Sequence, residues 1–214
     1  MTRPKRICFV APNLYPVLSG NKGAIARMGG AEVQQTFIAR SLVARGFDVH
    51  VASIDFGQTE GEVVDGITQH VLFNDQDGVR GLRFFHPRMT GIFKALQHAN
   101  ADVYYQRNAA MITGLVASYA KRNGRGMIYA GAADTDFIPG KERTKGIRDR
   151  TMFQWGLKRA DALVVQNSHQ IETALKHYGR EPVLIPSFYL PPHPPLVGQG
   201  TEVLWCAMMR SIKR

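Results

Sequence analysis

Short apolar runs alternate along this chain with longer segments whose apolar residues recur at helical spacing. Ile7–Pro12 is an apolar run of the kind that forms a buried parallel strand. A glycine pair, Gly29 and Gly30, then opens a helix that ends at Gly46, where glycine tolerates a left-handed cap. Phe47–Val51 alternates apolar and polar residues like a strand. The pattern predicts a strand–loop–helix–strand unit, the first βαβ crossover of a Rossmann-like domain.

The same alternation continues to about residue 186. Loops are predicted at 56–66 and 74–83, and Ser168 is predicted to cap the last helix. The later predicted strands are Ile67–Phe73, Asp102–Arg107, Gly126–Ala132, Ala162–Asn167 and Val183–Phe188. The later predicted helices are Gly91–Ala99, Ala109–Tyr119, Ile147–Arg159 and 168–178. Strands alternating with helices predict an α/β fold with a doubly wound, mostly parallel sheet.

A proline-rich stretch follows this alternation. It predicts a Rossmann-like domain over residues 1–186, an interdomain linker over 187–200, and the first strand of a second, truncated domain over 201–214. A strand without partners cannot build a core, so we expect this chain to be the N-terminal part of a two-domain protein.

The amino-acid composition indicates the cellular compartment. The two cysteines, Cys8 and Cys206, lie in apolar runs and favour a reducing compartment over a disulfide framework. No apolar stretch approaches a membrane span, and residues 1–5 are too short and polar for a signal peptide. We therefore expect a cytoplasmic protein.

The net charge of +10 favours anionic partners. It concentrates in Lys121–Arg125 and Lys141–Arg150, neither of which shows the aromatic interleaving or the motifs of a nucleic-acid-binding protein. Two interpretations remain open for these clusters. They form either a solvated face or a peripheral contact with the anionic inner face of the membrane.

Polar residues follow several predicted strands, at the edge of an α/β sheet where ligands bind. Asn13 lies in a long polar loop after the first strand, and Arg107 ends the fourth. Arg107 is suited to bidentate contact with a phosphate or carboxylate, or else to pairing with a nearby acid. Gly29 and Gly30 either present backbone N–H groups to a substrate or only permit a tight turn. The G-x-G-x-x-G pattern is absent there, which argues against a dinucleotide site.

Two carboxylates, Asp134 and Asp136, follow the fifth predicted strand. They are candidates for binding sugar hydroxyls or acting as a base, and the alternative is that they cap the loop. No third ligand at suitable spacing accompanies them and the histidines are scattered, so no metal site is predicted. The absence of a G-x-S-x-G motif argues against a hydrolase.

The order of these segments resembles the N-terminal domain of retaining GT-B glycosyltransferases of family 4, which includes many bacterial polysaccharide enzymes. The likeness rests on a Pro-containing loop after the first strand, on Gly29-Gly30-Ala31-Glu32, and on the helix ending of Leu42–Val49. A second block, Asp161–Gly179 followed by Val183–Phe188, matches the family's later strand, helix and Ile-Pro strand.

The resemblance implies a hexosyl transfer from a nucleotide-diphosphate sugar to a glycan or lipid-linked acceptor, with no separate cofactor. It implies a catalytic role for Asp134 and substrate contacts from Asn13, Gly29, Gly30, Arg107 and Asp136. Lys213 matches the family's phosphate-binding lysine, whereas Ala207 and Met208 replace its glycine and arginine. We expect the fragment alone to be inactive, because the resembled second domain holds most of the donor site.

Two other functions stay open at the level of the sequence. One is a non-catalytic Rossmann-like module that binds a partner or docks on a membrane. The other is a nucleotide-sugar epimerase with the same two-domain architecture, although its histidine and acid pattern is not evident here.

Overall fold

The computed structural model describes residues 4–20, 29–79, 81–144 and 146–188. The strands in this part of the chain are β1 (Arg6–Val10), β2 (Asp48–Ser53), β3 (Val63–Val64), β4 (Ile67–Val71), β5 (Val103–Arg107), β6 (Gly126–Ala130), β7 (Ala162–Val165) and β8 (Val183–Leu184). The α-helices are α1 (Tyr15–Ser19), α2 (Gly30–Ala44), α3 (Thr90–Ala99), α4 (Ile112–Arg122), α5 (Gly146–Arg159) and α6 (Ser168–Tyr178). An irregular helical segment, Phe84–Met89, precedes α3, and a 3₁₀ turn, Asp134–Phe137, follows β6.

All these strands join one sheet in the order β3-β4-β2-β1-β5-β6-β7-β8. Every neighbouring pair is parallel except β3 and β4, which form a short antiparallel hairpin. The strand order reverses between β1 and β5, which is the doubly wound arrangement. The predicted α/β fold class is confirmed.

The two faces of the sheet are covered by different helices. One apolar cluster joins α3, α4, α5 and α6 to the sheet through residues such as Leu96, Val116 and Phe153. The other joins α1 and α2 to the opposite face around Phe9 and Val51. Among the described residues, the second face thus has fewer helices, and they cover β5–β8 only in part.

Several local predictions need correction. The long loop after β1 contains the short helix α1, which has Pro16 in its first turn, and the loop predicted over 56–66 contains β3. Asn167, rather than Ser168, caps α6: its side chain accepts a hydrogen bond from the N–H of Gln170 at 2.9 Å. Because an Asn-Ser pair offers two capping side chains, the sequence alone does not choose between them.

Two glycines allow α4 and α5 to approach closely. A Cβ atom on Gly114 would lie 2.5 Å from the carbonyl oxygen of Met152, and one on Gly156 would lie 2.6 Å from the carbonyl of Thr113. Backbone atoms cannot retreat from such a contact without moving a whole helix. The pair therefore fixes the distance between these two helices.

None of the described helices combines the length and the hydrophobicity needed to cross a membrane.

We expect Gly156→Ala to destabilise the domain by about 1–3 kcal/mol, the usual cost of overpacking, despite the better helix propensity of alanine. Gly30→Ala is the matched control, because a Cβ atom there meets no atom of the described residues within 4 Å. Denaturant unfolding followed by circular dichroism measures both. Equal stability of the two variants would show that the α4–α5 contact tolerates an extra methyl group.

Candidate functional site

A cleft lies beside the reversal of strand order, on the face of the sheet that α2 covers. It has a volume of about 360 Å³ and lies between α2 and the carboxyl ends of β5, β6 and β7. Residues just after β8 complete its wall. Its size and position are typical of ligand sites in open α/β sheets.

Two arginines, Arg45 and Arg107, line this cleft, and Arg107 is the buried one. It ends β5, pairs in register with Ala130 of β6, and is only 7 % exposed. Its Nη1 donates to Gln34 Oε1 at 3.0 Å, whereas its Nε is buried without a hydrogen-bond partner. A buried cationic donor with unused capacity is suited to an anionic ligand.

Three further polar side chains are linked to Arg107 by hydrogen bonds through Gln34, and none of them was a candidate from sequence. Gln34 lies on α2, Gln166 follows β7, and Ser187 follows β8. The Ser187 hydroxyl lies 3.0 Å from Gln34 Oε1 and within hydrogen-bond distance of Gln166 Oε1. Gln166 and Ser187 could have been found from their positions just after strands, whereas Gln34 resembles any polar helix residue.

Ser187 also bears on the predicted domain boundary. The sequence assigns it to the linker, but its hydroxyl contacts the domain, and the Phe188 ring lies 6.1 Å from that of Phe37. Residues 189–214 lie outside the described part of the chain, so the linker and the second domain stay predictions.

Gly29 and Gly30 form the predicted start of α2. Gly29 is the N-cap residue, and its N–H donates to Glu32 Oε2 at 3.0 Å. Burial raises the pKa of Glu32, and the nearby charge of Arg107 opposes that shift. No atom of the described residues lies within 4 Å of the position of a Cβ on Gly30, and Gly30 is exposed, which is compatible with a substrate contact.

Asp136 is buried, with 2 % exposure, and its Oδ2 accepts three hydrogen bonds. The donors are the N–H groups of Ala132 and Ala133 and the hydroxyl of Tyr129. Burial raises the pKa of this carboxyl, and these hydrogen bonds oppose the shift. The geometry favours a role in shaping the loop after β6, and the predicted substrate contact of Asp136 stays a prediction.

Asp134 lies in the same loop as Asp136 but, unlike it, is exposed to solvent. Its Oδ1 accepts from Asn167 Nδ2 at 2.9 Å and from Gln170 Nε2 at 3.1 Å. The hydrogen bond from Asn167 lowers the pKa of Asp134, so the carboxylate is ionised at neutral pH. It links the β6 loop to the start of α6 while staying accessible.

The remaining predicted site residues lie apart from the cleft wall. Asn13 is half-buried in the turn between β1 and α1, at the same carboxyl edge of the sheet. Lys213 lies outside the described residues. The structure therefore brings Arg107 together with Gln34, Gln166 and Ser187, and leaves Asn13 and Asp134 at the rim of the same edge.

The sequence of residues 28–188 matches the profile of Glycosyltransferase Family 4, which is more than half of the chain. The chain belongs to this family. The match covers the cleft and every strand except β1. No curated protein matches the family 4 chain significantly in sequence.

Solved structures share the fold at low sequence identity. A candidate UDP-N-acetylglucosamine 2-epimerase from Listeria monocytogenes aligns with a TM-score of 0.53 at 11% identity, over 85% of this chain and 44% of its own. Glycyrrhiza uralensis UGT73P12, solved with glycyrrhetinic acid 3-O-monoglucuronide, aligns with a TM-score of 0.48 at 9% identity, over 85% of this chain and 48% of its own. LpCGTa in complex with UDP aligns with a TM-score of 0.48 at 9% identity, over 86% of this chain and 52% of its own. The family 4 chain thus spans about half the length of these structures.

We expect Asp136→Ala to destabilise the domain much more than Asp134→Ala. The first change leaves three donors without an acceptor, at about 1–3 kcal/mol for each buried unsatisfied group, so a loss of about 3 kcal/mol is expected. The second removes surface hydrogen bonds that water can replace, so about 1 kcal/mol or less is expected. Thermal unfolding of both variants tests the assignment, and an equal loss would mean that Asp136 does not organise the loop.

Proposed function

We propose that this chain is the acceptor-side domain of a nucleotide-sugar-dependent GT-B glycosyltransferase. Family membership supports the transferase, and the observation that carries the acceptor site is the cleft around Arg107. As in the resembled retaining enzymes of bacterial polysaccharide synthesis, the donor is a nucleotide-diphosphate sugar held largely by a second domain.

The cleft favours a lipid-linked acceptor over a free glycan. Apolar side chains from α2, β7 and the segment after β8 form much of its wall, including Ile38, Leu42, Val164, Ile185 and Phe188. A free glycan needs many hydrogen-bond partners, whereas a lipid phosphate carries an apolar chain next to one anionic group. Arg107 would bind that group, with Gln34 and Ser187 beside it.

Asp134 fits the role of a hydrogen-bond acceptor better than that of a general base. A base works best with a pKa near the working pH, and the pKa of Asp134 is instead lowered by its hydrogen bonds. We infer that its carboxylate orients an acceptor or donor hydroxyl. In a retaining transfer, the leaving phosphate can take the acceptor proton.

One end of the domain is suited to an anionic membrane surface. Leu82, Phe85 and Ile147 are exposed, and the Arg148 guanidinium lies 4.3 Å from the centre of the Phe84 ring. This patch precedes α3 and begins α5, so it lies at the carboxyl edge of the sheet. Lys141 and Arg143 extend its charge.

The two basic clusters cannot contribute equally to such a contact. Lys121–Arg125 comprises the last two residues of α4 and the turn before β6, so it lies at the opposite, amino edge of the sheet. Arg125 there is already engaged by Asp102 at 3.3 Å. We propose that only the cluster around Lys141 meets the membrane.

We expect Arg107→Ala to raise the KM for a lipid-phosphate acceptor by about 10- to 100-fold in the complete gene product, the usual effect of losing hydrogen bonds to a charged group. Arg40→Ala is the matched control, because Arg40 lies on α2, pairs with Asp65 at 2.6 Å and does not line the cleft. Initial rates at varied acceptor concentration measure the effect. An unchanged KM at unchanged stability would remove Arg107 from the acceptor site, and complete absence of transfer by the unmodified protein would favour a binding module.

For the membrane contact, we expect the double charge reversal Lys141→Glu and Arg143→Glu to weaken binding to anionic vesicles. The double charge reversal Lys121→Glu and Arg122→Glu should have little effect on vesicle binding. These two residues lie at the amino edge of the sheet, away from the proposed membrane contact. Sedimentation with phosphatidylglycerol vesicles at low and high salt measures both, because salt screens exposed charges over about 10 Å at 0.1 M. Equal losses in both variants would mean that net charge, rather than this patch, drives binding.

A further inference from the structure

A cluster of histidines and carboxylates lies on the face of the sheet away from the cleft. His50 and Ala52 of β2 point to the face that α3 covers, whereas Val49 and Val51 point to the α2 face. Three side chains meet there, from the loop before β3, from β4 and from the last turn of α3. They are Glu60, His70 and His98.

The ligand atoms of these three residues converge on one point. Glu60 Oε1 lies 2.6 Å from His70 Nδ1 and 3.0 Å from His98 Nδ1, and all three atoms lie within 4.8 Å of one another. Around a tetrahedral zinc ion, with Zn–N and Zn–O distances of about 2.0–2.2 Å, neighbouring ligand atoms lie about 3.3 Å apart. To reach this spacing, the Glu60 carboxylate would have to move away from the two histidines by less than about 1 Å.

A chain of hydrogen bonds sets the orientation of His70. Its Nε2 lies 2.8 Å from His50 Nδ1, and His50 Nε2 lies 3.0 Å from Asp48 Oδ1. Asp48 is held in turn by Arg6, whose Nε donates to Oδ2 at 2.6 Å. Such outer partners typically fix the ring and the tautomer of a metal-binding histidine.

The contact between His70 and Glu60 needs a proton or a metal ion between its two atoms. A carboxylate only accepts, so the hydrogen of a neutral His50 lies on Nε2, and its Nδ1 accepts from the Nε2–H of His70. His70 Nδ1 then faces Glu60 Oε1 at 2.6 Å. Either a hydrogen on Nδ1 joins these two atoms, or both atoms are ligands of one metal ion.

We propose that Glu60, His70 and His98 bind a divalent transition-metal ion of the zinc class. Two imidazole nitrogens and one carboxylate oxygen match the ligand preferences of Zn²⁺. His70 is 5% exposed at its side chain, whereas Glu60 and His98 are 39% and 41% exposed, so an ion can enter from solvent. The ion would tie α3 to β4 and to the loop before β3, away from the transfer site.

Titration of the chelator-treated protein with ZnCl₂ by isothermal calorimetry tests this site. We expect one Zn²⁺ per chain and a rise in melting temperature on saturation. Replacing Zn²⁺ with Co²⁺ should give the visible absorption of a low-symmetry, four- or five-coordinate ion. Absence of saturable binding would mean that a proton, rather than a metal, lies between His70 and Glu60, and would overturn the proposal.

Two variants make the assignment specific. His98→Ala should weaken Zn²⁺ binding at least 10-fold without unfolding the protein, because His98 is partly exposed. His177→Ala is the matched control, since His177 is an exposed histidine in the last turn of another helix, α6. Equal affinity in all three proteins, or an equal loss in both variants, would place the ion elsewhere and overturn the site.

Discussion

The reversal of strand order between β1 and β5 is the constraint on which the rest of the domain depends. Helix α2 returns to β2 across one face, whereas the helices from α3 onward cover the opposite face. In the described part of the chain, the α2 face is therefore incompletely covered beside β5–β8. The cleft occupies this gap, so its place follows from chain topology before any particular side chain is considered.

Most of the fold could be predicted because buried parallel strands and amphipathic helices have distinct periods. The failures are local and have physical causes. Helix α1 is too short to show a helical period in its apolar residues. Pro16 indicates a loop in a sequence pattern, although proline is well suited to the first turn of a helix. β3 contains only two residues and exists because the hairpin with β4 forms.

The sites were less predictable, because they depend on contacts between residues far apart in the chain. Arg107 could be found as a charge at a strand end, but Gln34, which contacts it, is 73 residues away. Glu60 and His98 are 38 residues apart, so a search for metal-ligand spacing within one segment cannot find them. The register between β2 and β4 places His50 near His70, and no local pattern encodes that register.

The incomplete hydrogen bonding of Arg107 connects stability with function. A buried donor without a partner costs about 1–3 kcal/mol, so a fold retains one where another interaction compensates. Arg150 also has a buried, unpartnered Nε, but a Glu142 carboxylate lies 3.7 Å from it, inside the protein. The Nε of Arg107 instead belongs to a side chain that lines the cleft, with the partly buried Glu32 and the buried Asp136 close enough for electrostatic interaction with it. Burial raises the pKa of both acids, and the charge of Arg107 opposes that shift. An anionic ligand in the cleft would therefore compete with these two acids for Arg107.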